Sequence, residues 1–237
     1  ARGGGCGDPG LGCGGRAVSM TAADTPRAIV FDLDGTLIHS APSMHRAVIA
    51  VMAELGHPAP DLATMAGFVG DGVPTLMARC ERWAGIVPTE AAVTAFRRHY
   101  DADPVTGTQP LGGAVEVLAD LHRRGIALGL CTNKPEAPTR TLLAGLGLGP
   151  FGAIAGGDTL PVRKPDPAPL LHVIAALGMG PGETLFVGDS AVDQRTAAAA
   201  GIAYVHISEG YGDPDPDAAE PHLILARLAD LPTALFP

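Results

Sequence analysis

Short apolar segments alternate with helical patterns along most of this 237-residue sequence. The apolar segments have the length and composition of strands that are buried on both faces of a sheet. They are residues 28–33, 126–131, 153–155, 185–187 and 203–207. The helical patterns cover residues 113–124, 136–146, 167–177 and 192–200. This alternation predicts an α/β fold with a doubly wound, Rossmann-like parallel sheet.

A long stretch between the first two strands, residues 41–109, breaks this alternation. Its pattern is helical and contains no convincing strand. A connection of this length is too long to be a loop inside a compact sheet. We therefore predict an inserted α-helical cap domain at residues 41–109, with the Rossmann-like core formed by residues 24–40 and 110–237.

Residues 1–23 are rich in glycine and lack hydrophobic periodicity. We expect them to form a disordered leader, with Met20 as a possible natural start. They lack the apolar segment of a signal peptide, and the sequence beyond them contains no convincing membrane span. The four cysteines show no disulfide or metal-binding spacing, which favours a reducing, cytoplasmic location.

The formal net charge of −9 argues against nucleic acid or an anionic membrane surface as a partner. It also requires that any site for an anionic substrate be locally positive. Only two lysines, Lys134 and Lys164, occur in the sequence. A monomer and a homodimer are equally compatible with these features.

Polar side chains follow the predicted strands at the point where each strand ends. They are Asp32 and Asp34 after the first strand, Thr132 and Asn133 after the second, Lys164 beyond the third, and Asp189 and Asp193 after the fourth. Functional sites of open α/β sheets lie beyond the carboxyl ends of the strands. Singly, each of these motifs has a structural explanation as a turn, an exposed lysine or a helix cap. Their joint occurrence in this order favours one shared site.

The residue types at this edge suit phosphoryl transfer. Asp32, Asp34 and Asp189 offer hard oxygen ligands, which Mg²⁺ prefers. A carboxylate that approaches a phosphate dianion is repelled by roughly 4 kcal/mol per charge pair at about 4 Å and an effective dielectric of about 20. Magnesium and Lys164 would offset that repulsion, while Thr132 and the backbone amides near Asn133 would bind the phosphoryl oxygens.

These segments resemble the haloacid dehalogenase-like hydrolase superfamily, whose four motifs match residues 32–37, 132–133, 163–167 and 188–193. The resemblance implies that Asp32 is the nucleophile and forms an aspartyl-phosphate, and that Asp34 is the general acid and base. It implies that Thr132 and Lys164 bind phosphate. It also implies that Mg²⁺ is held by the Asp32 carboxylate, the Asp34 main-chain oxygen and Asp189, with Asp193 in support.

Particular residues distinguish branches of this superfamily. Dehalogenases lack the second aspartate, Asp34, and phosphonoacetaldehyde hydrolases need a cap lysine, which residues 41–109 do not contain. Residues 132–135, 164–170, 185–190 and 208–212 are most similar to phosphoglycolate phosphatases, which implies hydrolysis of 2-phosphoglycolate to glycolate and phosphate. A sugar-phosphate phosphatase, a pyrophosphatase and a β-phosphoglucomutase remain alternatives. A non-catalytic phospho-acceptor module is a remote one, because such modules have no helical insertion.

A glycine-rich turn within the predicted cap is a candidate for substrate specificity. Gly70, Asp71 and Gly72 lead into a helical pattern that contains Arg79. Amides at the start of a helix can bind a substrate carboxylate. A loop that needs glycine only for its backbone geometry is an equally good interpretation.

Overall fold

The computed structural model describes residues 25–237, so the predicted leader and Met20 lie outside the described residues. The strands are β1 (Ala28–Phe31), β2 (Ile38–His39), β3 (Gln109–Pro110), β4 (Ala127–Cys131), β5 (Ala153–Ala155), β6 (Thr184–Gly188), β7 (Ala203–Ile207) and β8 (Leu223–Leu225). Six of them form a parallel sheet in the order β5-β4-β1-β6-β7-β8. The order reverses beside β1, which places the expected binding crevice at the carboxyl ends of β1, β4 and β6.

Helices cover both faces of this sheet. The helices are α1 (Ala41–Glu54), α2 (Leu62–Ala66), α3 (Val73–Trp83), α4 (Glu90–Asp101), α5 (Ala114–Arg123), α6 (Glu136–Leu146), α7 (Ala168–Ala176), α8 (Ala191–Ala200) and α9 (Leu231–Leu235). Successive strand residues alternate between the faces: Ile29 and Phe31 pack with α5, α6 and α9, whereas Val30 packs with α7 and α8. Because both faces are buried, the strands are continuously apolar. The predicted α/β fold is confirmed.

Helices α1–α4, here called the helical insert, pack around a hydrophobic core of their own. Met52, Met65, Met77 and Phe96 are among its fully buried side chains. The chain enters and leaves the insert through β2 and β3, which pair antiparallel with each other. The insert is therefore a separately packed helical unit that is joined to the sheet by two adjacent strands.

The structure differs from the sequence prediction at several element ends. Strand β1 ends at Phe31 because the carbonyl of Leu33 accepts the amides of Thr36, Leu37 and Ile38 and closes a tight turn. The pair β2–β3, strand β8 and helix α9 were not predicted, since two to five residues are too few to reveal a period. Within residues 25–237, every helix is too short or too polar to span a membrane.

Candidate active site

The turn after β1 brings the strand end close to the loop after β6. Asp32 extends the sheet by one hydrogen bond, from its amide to the carbonyl of Val187 at 2.9 Å. Gly35 then adopts φ +89°, and a Cβ atom there would lie 2.2 Å from Oδ2 of Asp189. Glycine is therefore required twice over, for its positive φ and for the close approach of the carboxylate.

Three buried carboxylates meet at this edge of the sheet. Asp32, Asp189 and Asp193 each offer an oxygen atom, and these atoms lie within 4.8 Å of one another. Hydrogen bonds fix two of the three groups. Asp189 accepts from the Thr36 hydroxyl at 2.9 Å and the Tyr211 amide at 2.7 Å, and Asp193 accepts from the Ser190 hydroxyl at 2.6 Å. Neighbouring side chains and a backbone amide therefore hold these two carboxylates in place.

Lys164 supplies the positive charge beside this cluster. Its Nζ lies 2.8 Å from Oδ1 of Asp32 and 2.6 Å from Oδ1 of Asp193, and the residue is only 3% exposed. Burial lowers the pKa of Lys164, but Asp193 and Asp32 together raise it above its ordinary value. Lys164 is therefore a fixed cation, and its removal would leave two buried carboxylates without a positively charged partner.

Even with Lys164 in place, the cluster carries excess negative charge. Burial raises the pKa of Asp32 to about 6 against the opposing effect of Lys164, with a further increase from Asp193. Burial, Asp193 and Asp32 raise the pKa of Asp189 well above its ordinary value. A cation among the carboxylates would relieve this cost.

The residues fit a hard divalent cation. Oδ1 of Asp32 is buried, and within the described chain only the Lys164 ammonium, at 2.8 Å, lies at pairing distance from it. All three side chains of the cluster offer carboxylate oxygens, the donors that hard cations prefer. The Asp34 side chain is not part of the cluster. The contact of the Asp34 main-chain oxygen with the metal stays a prediction.

A second lysine, Lys134, holds the carboxylate of Asp34. Its Nζ donates to the two Asp34 oxygens at 3.0 and 2.9 Å, and the Ser40 hydroxyl also donates to Asp34. The Lys134 ammonium lies 4.7 Å from the ring centre of Tyr100 on α4. Burial lowers the pKa of Lys134, whereas Asp34 and Tyr100 together raise it above its ordinary value. No role for Lys134 was predicted from the sequence; the signal that could have indicated one was its place directly after Thr132 and Asn133.

The two polar residues after β4 take different positions. Thr132 is buried, lines the pocket described below, and accepts the Lys134 amide at 3.2 Å through its hydroxyl. Asn133 donates from its side chain to the carbonyls of Gly70 and Lys164, both at 3.0 Å. The Asn133 side chain therefore joins the insert to the Lys164 loop. Its predicted contact with phosphate concerns the main-chain amide and stays a prediction.

A pocket lies between this sheet edge and the helical insert, with about 590 Å³ of empty space, open solvent included. The sheet edge contributes polar side chains: Asp32, Asp34, Thr132, Asn133 and Lys134. The insert contributes a mainly apolar wall: Met44, Val69, Val73, Leu76, Phe96 and Tyr100, with Gly70 and Gly72 between them. An apolar wall with a few convergent polar groups is typical of sites that bind small molecules.

Two predicted cap residues lie apart from this pocket. Arg79 pairs with Asp71 at 2.6 Å and donates to the carbonyl of Phe68 at 3.0 Å. Neither residue is among those that line the pocket, whereas Gly70 and Gly72 are. The structure thus brings the glycines of the turn to the pocket and uses Asp71 and Arg79 to brace the turn.

Tyr211 connects the carboxylate cluster to the start of the insert. Its amide donates to Asp189, and its hydroxyl accepts the amides of Ser40 and Ala41 at 2.8 and 3.0 Å. The exposed ring of His39 lies beside it, with Nδ1 at 3.1 Å from the hydroxyl. From the sequence, residues 208–212 were notable only for their similarity, and no role was predicted for Tyr211.

The chain is similar to several known proteins along most of its length. The phosphoglycolate phosphatase of Rhodospirillum rubrum is 44% identical over 195 residues, which cover 78% of this chain and 81% of that protein. One from Cereibacter sphaeroides is 43% identical over 212 residues, which cover 87% and 96%. The crystal structure of a predicted phosphoglycolate phosphatase from Haemophilus somnus has a TM-score of 0.80 and 29% identity, with 91% of this chain and 99% of that chain covered.

A family model provides the assignment. The model of the haloacid dehalogenase-like hydrolases matches residues 26–201, which include β1, the helical insert and the ends of β4 and β6. All residues of the carboxylate cluster, and both lysines, fall inside this match. The chain belongs to the haloacid dehalogenase-like hydrolase family.

Proposed function

We propose that the protein is a magnesium-dependent phosphatase that hydrolyses 2-phosphoglycolate to glycolate and phosphate. The main support is the convergence of Asp32, Asp189, Asp193 and Lys164 beside the pocket between the sheet edge and the helical insert. Relatives that are 43–44% identical bear the name phosphoglycolate phosphatase. The substrate is thus a small phosphate ester, and 2-phosphoglycolate is the one we propose.

In the first half of the reaction, an Asp32 oxygen attacks phosphorus and the ester P–O bond breaks. The product on the enzyme is an aspartyl-phosphate, which splits one difficult displacement into two easier ones. Asp34 donates a proton to the departing oxygen of glycolate. The Thr132 hydroxyl, the Asn133 amide and Lys164 bind the phosphoryl oxygens and compensate their charge.

In the second half, water attacks the phosphorus atom of the aspartyl-phosphate. Asp34 takes a proton from that water, and the bond between phosphorus and Asp32 breaks. Inorganic phosphate leaves, and the Asp32 carboxylate is regenerated. The position of Asp34, two residues beyond Asp32 and on the same pocket wall, supports its use in both halves.

Mg²⁺ is the metal that we propose for this site. Asp32, Asp189 and the Asp34 main-chain oxygen would hold it, with Asp193 in support, because hard oxygen donors and a phosphate ligand suit this ion. When bound, Mg²⁺ orients the phosphoryl group and neutralises part of its charge. The approach of oxygen atoms from Asp32, Asp189 and Asp193 within 4.8 Å of one another supports this proposal.

The helical insert is proposed to act as a cap over residues 24–40 and 110–237. Its wall of the pocket excludes water and fits the non-phosphate part of the substrate. We also propose a cytoplasmic location, which the two buried free thiols, Cys80 and Cys131, support. The active unit is a monomer or a homodimer.

A panel of phosphate esters tests this proposal. The purified protein is assayed with Mg²⁺ for phosphate release from 2-phosphoglycolate, glucose phosphates, pyrophosphate and p-nitrophenyl phosphate. We expect the highest kcat/KM for 2-phosphoglycolate, and its loss in the Asp32→Asn variant. A higher kcat/KM for a glucose phosphate or for pyrophosphate would replace the proposed substrate, and transfer without phosphate release would indicate a mutase.

A further inference from the structure

Two buried polar groups of the pocket have no role in the mechanism above. Lys134 is 7% exposed and Tyr100 is 4% exposed, and both line the pocket together with Asp32. The Tyr100 hydroxyl is buried close to Lys134 and Ser43, and no group among residues 25–237 makes a hydrogen bond of good geometry with it. A buried hydroxyl without a partner costs free energy, and a ligand atom in the pocket would provide the missing partner.

The position of Lys134 allows it to contact a ligand. Its ammonium group lies between the Asp34 carboxylate, at 2.9 and 3.0 Å, and the ring of Tyr100. An ammonium group has three donors on a flexible four-carbon stem, so it can turn from one acceptor to another. Asp34, its present acceptor, is two residues beyond the proposed nucleophile.

The charges around the pocket show why such a group is needed. Asp32, Asp34 and Asp101 line the pocket, and Lys164 is already committed to Asp32 and Asp193. A substrate with a carboxylate beside its phosphate brings one more negative charge. Among the described lining residues the cations are Lys134 and Arg97, and of these only Lys134 is buried.

We propose that the Lys134 ammonium and the Tyr100 hydroxyl bind the carboxylate of the substrate. This inference rests on the proposed function and deepens it, because it defines the substrate class as small phosphate esters with a nearby carboxylate. As Lys134 donates to that carboxylate, it frees an Asp34 oxygen for the departing ester oxygen. Recognition of the non-phosphate end is thereby connected to the chemistry at Asp32.

Two esters that differ only at this end test the inference. One is 2-phosphoglycolate, and the other is 2-hydroxyethyl phosphate, which carries a neutral hydroxymethyl group in place of the carboxylate. The readout is the ratio of their kcat/KM values in each variant. We expect Lys134→Met to lower this ratio about 100-fold and Tyr100→Phe to lower it about 10-fold.

Two neighbouring arginines provide the controls. Arg98→Gln should leave both kcat/KM values unchanged, because Arg98 lies outside the pocket lining and pairs with Glu54 on the surface. Arg97→Gln tests whether Arg97, the other cation that lines the pocket, binds the substrate carboxylate instead of Lys134. Tyr100→Phe keeps the ring that stacks on Phe96, so it is expected to fold even where Lys134→Met does not.

The outcomes separate this inference from the proposed function. A wild-type preference for 2-phosphoglycolate that survives in Lys134→Met and Tyr100→Phe would overturn the inference and leave the proposed substrate intact. A preference that disappears in Arg97→Gln instead would also overturn it. A wild type without any preference would overturn both the substrate and the inference.

Discussion

The carboxyl edge of the sheet and the helical insert contribute opposite surfaces to one pocket. At the sheet edge most of the functional groups are charged, and hydrogen bonds or ion pairs fix their positions. Asp189, for example, accepts hydrogen bonds from Thr36 and Tyr211. The insert presents mostly apolar side chains, such as Val73, Leu76 and Phe96, from a separately packed core. This difference indicates a division of labour, in which the sheet edge performs the chemistry and the insert selects the substrate.

Removal of the proposed nucleophile should have the largest effect, and that effect should be confined to the chemistry at the sheet edge. Asp32→Asn should lower kcat by on the order of 10⁴-fold or more, because the variant lacks the carboxylate that attacks phosphorus. Substrate binding should persist, since the insert wall is unchanged. Initial rates with 2-phosphoglycolate and a binding measurement on the variant check the two halves of this expectation. Substantial residual turnover would remove Asp32 from its role.

Loss of the buried cation should have the next largest effect. Lys164→Met leaves Asp32 and Asp193 buried without their partner, which should lower the free energy of unfolding by about 3–5 kcal/mol. Urea unfolding in the absence of metal measures this change. As the matched control in the insert, Arg98→Met removes an exposed partner of Glu54 and should have little effect. Equal losses in the two variants would contradict the contrast between the regions.

The pH dependence of stability sharpens the same contrast. The pKa of Asp32 is about 6 in the folded protein and 3.8 for an unperturbed aspartate, so the folded state binds this proton more tightly. Protonated Asp32 therefore stabilises the folded state below pH 4. As the pH rises through 6 this stabilisation is lost, and the free energy of unfolding falls by roughly 2–3 kcal/mol in total. Urea unfolding of the wild type and Asp32→Asn in EDTA, between pH 4 and 7, measures this. If the free energy of unfolding depended on pH in the same way in both proteins, Asp32 would not have a raised pKa in the folded state.

A smaller effect is expected from a residue that only orients a metal ligand. Thr36→Val removes the hydroxyl that donates to Asp189 at 2.9 Å and should weaken Mg²⁺ binding by about 10–100-fold. Titration of activity with Mg²⁺ measures this affinity. Thr184→Val is the control: Thr184 is also buried, but it begins β6 and lies at the opposite end of that strand. An equal change in both variants would indicate a general effect on packing.

The smallest effect is expected in the turn of the insert. Arg79→Gln breaks a partly exposed pair with Asp71, outside the pocket lining, and should change KM for 2-phosphoglycolate by less than about 2-fold. Steady-state kinetics check this expectation. A large increase in KM would show that Arg79 reaches the substrate, as its place after the glycine-rich turn first suggested.

The parts of the fold that were predicted from sequence are those with a clear hydrophobic pattern or an unusual length. Strands such as β4 and β6 are apolar throughout because both faces of the sheet are covered, and the helical insert is recognisable by its length. Strand β8 was missed because Leu223–Leu225 is short and only partly buried. The polar residues at strand ends were found because parallel strands deliver them to one edge.

Side-chain direction explains what the sequence could not predict. Lys134 follows β4 as Thr132 does, and only the folded chain shows that its ammonium reaches Asp34. Similarly, Asp71 and Arg79 were considered as substrate contacts, and the turn instead joins them to each other. Contacts of this kind depend on rotamers and on long-range packing, which have no periodic signal in the sequence.

The most direct test of the account is to find the phosphoryl group on the enzyme. The protein is mixed with 2-phosphoglycolate and Mg²⁺, quenched in acid during turnover, and digested for mass spectrometry. The account predicts a phosphoryl group on Asp32 in the wild type and none in Asp32→Asn. Rapid turnover with phosphate attached to another residue, or with no phosphorylated peptide under conditions that preserve aspartyl-phosphates, would contradict it.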